Sequence, residues 1–222
     1  MKVLIIGYGS IGKKHHKVLK KISSKFIFRI CSKFNLNSKL KIQLNKKEIQ
    51  NYDPDYIIIS SETHLHFQHL KFVNNILKNK FMLIEKPLYQ SKRIGKYLNL
   101  QNKVFVAYNL RFDPMIIYLK RYFTKNKIKK LLTLTVYCGS YLPNWRKSND
   151  YSKSYSADPR RGGGVELDLS HEFDYIKWIF GDFQTIKRIN KKISSLNIKS
   201  NDLLIYLARL SNNKYLNFTL NY

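Results

Sequence analysis

Residues 2–22 read KVLIIGYGSIGKKHHKVLKKI. Val3 to Ile6 form an unbroken apolar run rich in β-branched residues, the pattern of a strand buried on both faces. Gly7, Gly9 and Gly12 follow at G-x-G-x-x-G spacing, and Ile11, His15, Val18, Leu19 and Ile22 then recur with a helical period. A doubly buried strand that runs through glycines straight into a helix is the opening of a βαβ unit. Such a unit commits the chain to a parallel sheet covered by helices on both faces.

The glycine spacing carries chemistry as well as topology. The first glycine permits a tight turn, the second lets backbone approach a pyrophosphate, and the third lets the helix lie close to the strand. The helix N-terminus then offers unpaired N–H groups to phosphate oxygens. Gly7, Tyr8, Gly9, Ser10, Ile11 and Gly12 are therefore candidate cofactor-binding residues. The next strand pattern, FIFRICSK (26–33), ends in Ser32 and Lys33, where a ribose-binding acid is expected; the first acid after it is Glu48. A carboxylate repels a 2′-phosphate whereas Ser and Lys can donate to one, so the residues favour NADP over NAD.

Strand and helix continue to alternate. DYIIIS (55–60) reads as a third strand, HLHFQHLKFVNNILKNK (64–80) as a helix, FMLIEKPL (81–88) as a fourth strand and KVFVAYN (103–109) as a fifth. The expected fold is α/β, with a doubly wound parallel sheet whose ligands sit beyond the carboxyl ends of the strands. Ser60, Ser61, Glu85, Lys86 and Asn109 fall at those ends, and His66 on the intervening helix joins the cofactor set. His64, His66 and His69 invite a metal reading, but no further ligand set accompanies them, so no metal is expected.

The chain has 222 residues and a formal net charge of +27, with its lysines spread along its length. Scattered pairs such as Lys13–Lys14 and Lys191–Lys192 argue for non-specific charge rather than a specific nucleic-acid surface. Cys31 and Cys138 are the only cysteines and lie in no C-x-x-C pattern. The apolar run at the start stops at Gly7, too short for a signal peptide, and nothing approaches the roughly 20 apolar residues of a membrane span. A soluble cytoplasmic protein is expected.

Four stretches together resemble the Gfo/Idh/MocA oxidoreductases: GYGSIG (7–12), LIEKPL (83–88), YNLRFDP (108–114) and GGGVELDLSHEFDYIKWIFG (162–181). The resemblance implies a Rossmann domain over residues 1–110 and a second α/β domain with a mostly antiparallel open sheet over 111–222. It implies hydride transfer between NAD(P) and a hydroxyl carbon of a sugar, cyclitol or nucleotide-sugar. It makes Lys86, His171 and Asp168 catalytic, although Asp168 stands three residues before the histidine rather than the family's usual four. Arg111, Trp145 and Arg146 join Lys86, Asp168 and His171 as candidate substrate contacts, with Trp145 stacking on a sugar ring and Arg146, Arg160 and Arg161 reaching phosphates.

Residues 162–181 read as one helix with two faces. Leu169, Phe173, Ile176 and Phe180 form a packing stripe, while Asp168, His171, Tyr175 and Trp178 line a catalytic one, and the preceding glycines let the chain approach a ligand. Family members are longer than this chain, which closes on NFTLNY (217–222). An incomplete sheet with an unpaired edge is therefore expected, and a cofactor-binding protein without turnover is the rival reading. Relatives often pair through that sheet, so homo-oligomers are expected too.

Overall fold

A computed structural model describes residues 1–90, 99–125, 131–146, 150–210 and 213–222. The chain forms two compact units, Met1–Ala107 and Tyr108–Tyr222.

In the first unit, β1 (Lys2–Ile6), β2 (Ile27–Cys31), β3 (Tyr56–Ile59), β4 (Phe81–Ile84) and β5 (Lys103–Val106) form one sheet in the order β2-β1-β3-β4-β5. All four pairings are parallel. Successive β1 residues point to opposite faces. Leu4 and Ile6 join one core with Ile57, Ile59 and Ile84, while Val3 and Ile5 join another with Phe28, Ile30 and Ile58. Strand order reverses at β1, where β2 lies on one side and β3 on the other, so the switch point lies at the carboxyl ends of β1 and β3.

Helix α1 (Ser10–Ile22) follows the glycines, but its buried face differs from the periodic reading. Ile11, Val18 and Ile22 are exposed, whereas Gly12 and His16 are buried and Leu19 packs on the core. Gly12 sets this rotation: a Cβ there would lie 2.3 Å from the Gly7 carbonyl oxygen, so this side of the helix must face the strand. Burial lowers the pKa of His16, and Lys20 adds to the effect.

Helix α2 (Lys46–Tyr52) is absent from the sequence reading. Asn45 accepts from the Glu48 amide at 2.9 Å, and Glu48 accepts from the Gln43 amide at 2.8 Å and the Asn45 side chain at 3.1 Å. That N-x-x-E spacing is a legible capping signal. Helix α3 is shorter than read, spanning His66–Ile76 after a 3₁₀ turn at Thr63–Leu65. Strand β5 ends at Val106, so Asn109 does not sit at its end.

The second unit contains α4 (Pro114–Lys125), β6 (Thr133–Gly139), α5 (Val165–Asp168), α6 (His171–Phe180), β7 (Phe183–Lys191), β8 (Leu203–Leu210) and β9 (Tyr215–Asn221). The sheet order is β6-β9-β8-β7, with β6 and β9 parallel and the other two pairs antiparallel. Strands β8 and β9 form an antiparallel hairpin, and positions 211 and 212 of its turn lie outside the described residues. The final strand is interior; among the described residues the edges are β6 and β7. Alternate residues of β8 and β9, including Leu204, Ala208, Leu216 and Phe218, form a core with Ile176, Ile179 and Phe180 of α6. Strand β7 escapes the sequence reading because as an edge strand most of its residues are exposed, so no alternation marks it.

Between β6 and α5 the chain forms short 3₁₀ turns at Leu142–Arg146, Tyr151–Lys153, Tyr155–Ala157 and Pro159–Arg161. Leu142 and Ala157 pack there with Leu196 and Ile198. Residues 162–181 form two helices rather than one. The backbone departs from helix at Leu169 (φ −98°, ψ 32°), so Asp168 ends α5 and His171 begins α6. Among the described residues, no helix is long and apolar enough to cross a membrane.

Candidate functional site

In the first unit the glycine loop is held from beneath and open above. Gly7 has φ +92°, and a Cβ there would meet the Ser61 amide nitrogen at 2.4 Å. Its own amide donates to the Cys31 carbonyl at 3.0 Å, and its carbonyl accepts from the buried Ser60 hydroxyl at 2.8 Å. Ser60, read as a cofactor contact, thus fastens the turn. Gly9 is exposed, with nothing within 4 Å of where a Cβ would stand. It is the N-cap of α1, and that helix has no acidic residue in its first turn. Ser10 and Ile11 are exposed beside it. Open backbone, unpaired helical N–H groups and no competing carboxylate are what an anionic pyrophosphate requires.

Tyr8 turns toward the helix, its hydroxyl 2.6 Å from His16 Nδ1, and burial raises its pKa. Ser32 and Lys33 follow β2, whose Cys31 is in register with Ile6, so they lie beside the glycine turn. Ser32 Oγ accepts from the Phe34 amide at 3.1 Å, and Lys33 is exposed.

His66, expected among the cofactor contacts, meets partners within the fold. It is 1% exposed, with Nδ1 2.9 Å from the Pro87 carbonyl and Nε2 3.0 Å from the Ser61 carbonyl. Both ring nitrogens face backbone, so it braces the fold. His69 Nδ1 lies 2.9 Å from Ser61 Oγ, and burial, then His66 and His64, push its pKa down to about 4. Among the described residues no group of three or more His, Cys, Asp or Glu is placed to hold a metal ion. Glu85 Oε1 lies 2.6 Å from His15 Nε2, and Lys86 follows, half-buried, on the turn leaving β4.

In the second unit, Gly162–Gly164 serve packing rather than approach to a ligand. All three are buried; Gly162 and Gly164 have φ of +85° and +121°. A Cβ on Gly163 would stand 2.3 Å from the Tyr155 carbonyl oxygen. Asp168 is buried at the end of α5, where Tyr222 Oη donates to its Oδ2 at 2.5 Å. His171 opens α6, half-buried, with the Tyr108 ring edge-on at 5.6 Å. Burial raises the Tyr108 pKa. Tyr175 and Trp178, read as part of a catalytic face, pack against the core.

Several proposed substrate contacts are engaged within the fold. Arg111 grips Asp174 with two bonds, Nε to Oδ2 at 2.8 Å and Nη2 to Oδ1 at 2.6 Å. Trp145 Nε1 donates to Ser140, and its ring meets Tyr222 edge-on at 5.4 Å. Arg160 pairs with Asp158, and Arg161 donates to the Lys153 carbonyl at 3.0 Å. The Arg146 side chain lies outside the described residues. Asn109 is exposed in a 3₁₀ turn, Asn109–Phe112. The Tyr108, Tyr222 and His15 contacts left no sequence signal, because each joins residues many positions apart.

The model of an oxidoreductase family with an NAD-binding Rossmann fold, Gfo/Idh/MocA, matches residues 1–108. Over its first unit the chain is similar to the Gfo/Idh/MocA oxidoreductases. An uncharacterised oxidoreductase of Synechocystis sp. is 26% identical to this chain over 146 residues, covering 62% of it. That alignment spans only 38% of the relative. An oxidoreductase from Thermotoga maritima shares the fold with TM-score 0.81 at 18% identity, covering 100% of this chain and 72% of the other. The WlbA dehydrogenase from Bordetella pertussis, solved with NADH and UDP-GlcNAcA, gives TM-score 0.81 at 14% identity over 100% and 66%. At these identities the likeness to solved structures is one of fold. The glycine loop and switch point lie within the residues that match the NAD-binding Rossmann model.

Proposed function

We propose that the chain is an NAD(P)-dependent oxidoreductase acting on a hydroxyl carbon of a sugar, cyclitol or nucleotide-sugar. The observation that carries this is the exposed, acid-free start of α1 at Gly9, set at the sheet's switch point. Gly7, Gly9, Ser10 and Gly12 would hold the pyrophosphate. Ser32 and the exposed Lys33 favour a 2′-phosphate, hence NADP. When bound, the nicotinamide supplies or accepts the hydride.

His171 would accept the substrate hydroxyl proton, a task suited to an imidazole whose ordinary pKa of about 6.5 lies near working pH. Lys86 would hydrogen-bond a substrate oxygen and stabilise developing negative charge. Asp168, fixed by Tyr222, would bind a further hydroxyl or orient the histidine. The nucleotide-sugar class draws support from the UDP-GlcNAcA complex of WlbA and fits a role in surface-glycan synthesis.

The test is nicotinamide turnover across a panel of sugars, cyclitols and nucleotide-sugars, for the native chain and His171→Asn. Turnover that His171→Asn abolishes supports the assignment, and undiminished turnover in that variant overturns it. NADPH binding without turnover on any substrate would favour a cofactor-binding protein instead. The outer face of the second sheet, where Tyr137, Ile205 and Ile189 stand exposed in one cross-strand row, suits pairing with a second copy; sedimentation would read this directly.

A further inference from the structure

Resting on that reading, we propose that His15 and His66 are positioning residues for Lys86, one holding each of its chain neighbours. Lys86 lies on the turn that leaves β4. The residue before it, Glu85, has its carboxylate against His15 Nε2 at 2.6 Å; the other carboxylate oxygen, Oε2, accepts from the Lys86 amide at 3.3 Å. The residue after it, Pro87, has its carbonyl against His66 Nδ1 at 2.9 Å. Two histidines on two different helices, α1 and α3, thus converge on positions 85 and 87.

Neither contact is explained by space-filling alone. His66 is 1% exposed, so water cannot replace it at the carbonyls of Pro87 and Ser61. An apolar residue of that size would fill the volume but offer no N–H, whereas the imidazole, kept neutral by burial, donates to one of the two carbonyls. Ser61 is also the residue whose amide forbids a Cβ on Gly7. His66 therefore ties the Glu-Lys-Pro turn to the backbone that closes on the glycine loop. His15 projects from the helix whose N-terminus faces the open loop, so both braces link the Lys86 turn to the phosphate-binding end of the unit. A lysine amine needs this: its flexible stem delivers a charge accurately only when its backbone is fixed.

The test compares His15→Ala, His15→Gln, His66→Ala and His66→Asn with the native chain. In His15→Gln the new amide nitrogen can replace the His15 Nε2 contact, and in His66→Asn it can replace His66 Nδ1. NADPH affinity by fluorescence, kcat and KM, and melting temperature are measured for each. The rate at which the Lys86 amine is acylated, read by peptide mass spectrometry against the other lysines, is measured alongside them.

The alanine variants should lose kcat by up to about 10²-fold, the cost of a small misplacement. NADPH affinity should hold and acylation at Lys86 alone should change, with His15→Gln and His66→Asn retaining much of the native kcat and acylation rate. Alanine variants that keep native kcat and native Lys86 acylation overturn the proposal. So do variants that lose NADPH binding, melting temperature and kcat together, with the amide variants no better than alanine, which marks a structural role. If the native chain turns over nothing, the oxidoreductase reading fails separately, and Lys86 acylation alone decides. A change in the alanine variants that is absent from the amide variants supports positioning, and an unchanged rate overturns it.

Discussion

Tyr222 donates its hydroxyl to Asp168 across 2.5 Å, joining positions 54 residues apart at the end of α5 and just past β9. Asp168 is 4% exposed. Burial raises the Tyr222 pKa, and the adjacent Asp168 charge raises it further, so the phenol stays protonated as the donor. Tyr222→Phe removes that donor from a buried carboxylate and should destabilise the second unit by about 1–3 kcal/mol. Urea unfolding at neutral pH measures this; an unchanged midpoint would show that the bond contributes nothing.

Acid stability should depend on His69. Its folded pKa of about 4 lies below the ordinary value of 6.5 because the buried imidazole resists charging. The depressed value contributes stability above about pH 6.5, which is lost as pH falls toward 4 and the unfolded chain takes the proton first. The loss is on the order of 3 kcal/mol at most. His69→Asn keeps a donor near Ser61 without the titration. Its unfolding free energy should change less between pH 7 and pH 4.5 than that of the native chain.

The glycines separate folding from binding. At Gly9 a Cβ meets nothing and φ is −74°, so Gly9→Ala should cost under about 1 kcal/mol at the helix cap. It should nonetheless weaken NADPH binding by standing where the pyrophosphate approaches. At Gly12 the same methyl strikes the Gly7 carbonyl oxygen at 2.3 Å and Ser60 Oγ at 2.8 Å. Gly12→Ala should cost about 1–3 kcal/mol through overpacking. Calorimetry and nucleotide titration on both variants check the contrast.

Cofactor preference should follow position 33. Lys33→Glu places a carboxylate beside the expected 2′-phosphate and should weaken NADPH at least roughly tenfold, or about 1.4 kcal/mol, with little effect on NADH. Equal changes for both nucleotides would remove Lys33 from the site.

The opening βαβ unit is legible because its signals are local. A doubly buried strand, three glycines and a helix follow one another within 22 residues, and a parallel sheet is their only economical packing. The rotation of α1 is not, since the apolar positions Ile11, Val18 and Ile22 that periodicity picks out are the ones left exposed. The close approach of Gly12 to the Gly7 carbonyl decides it, and that is a contact across the turn. Residues 162–181 mislead in a similar way. Their apolar spacing suits one helix, but Asp168 ends α5 before the break at Leu169, so periodicity carried across the break puts Asp168 on a face of α6 that it does not share.

Sequence alone determined the five strands of the first unit with helices α1 and α3, the glycine loop and the polar groups that follow β1, β3 and β4. These depend on residues within one or two turns of each other. Tertiary structure decided which polar groups face outward and which hold the fold. Ser60, His66, Arg111 and Trp145 read as ligand contacts, yet each meets a partner within the chain: Ser60 on Gly7, His66 between Ser61 and Pro87, Arg111 on Asp174, Trp145 on Ser140 and Tyr222. A buried hydrogen-bonding group must be satisfied by whatever the fold brings beside it, and most of those partners lie too far along the chain for spacing to reveal them.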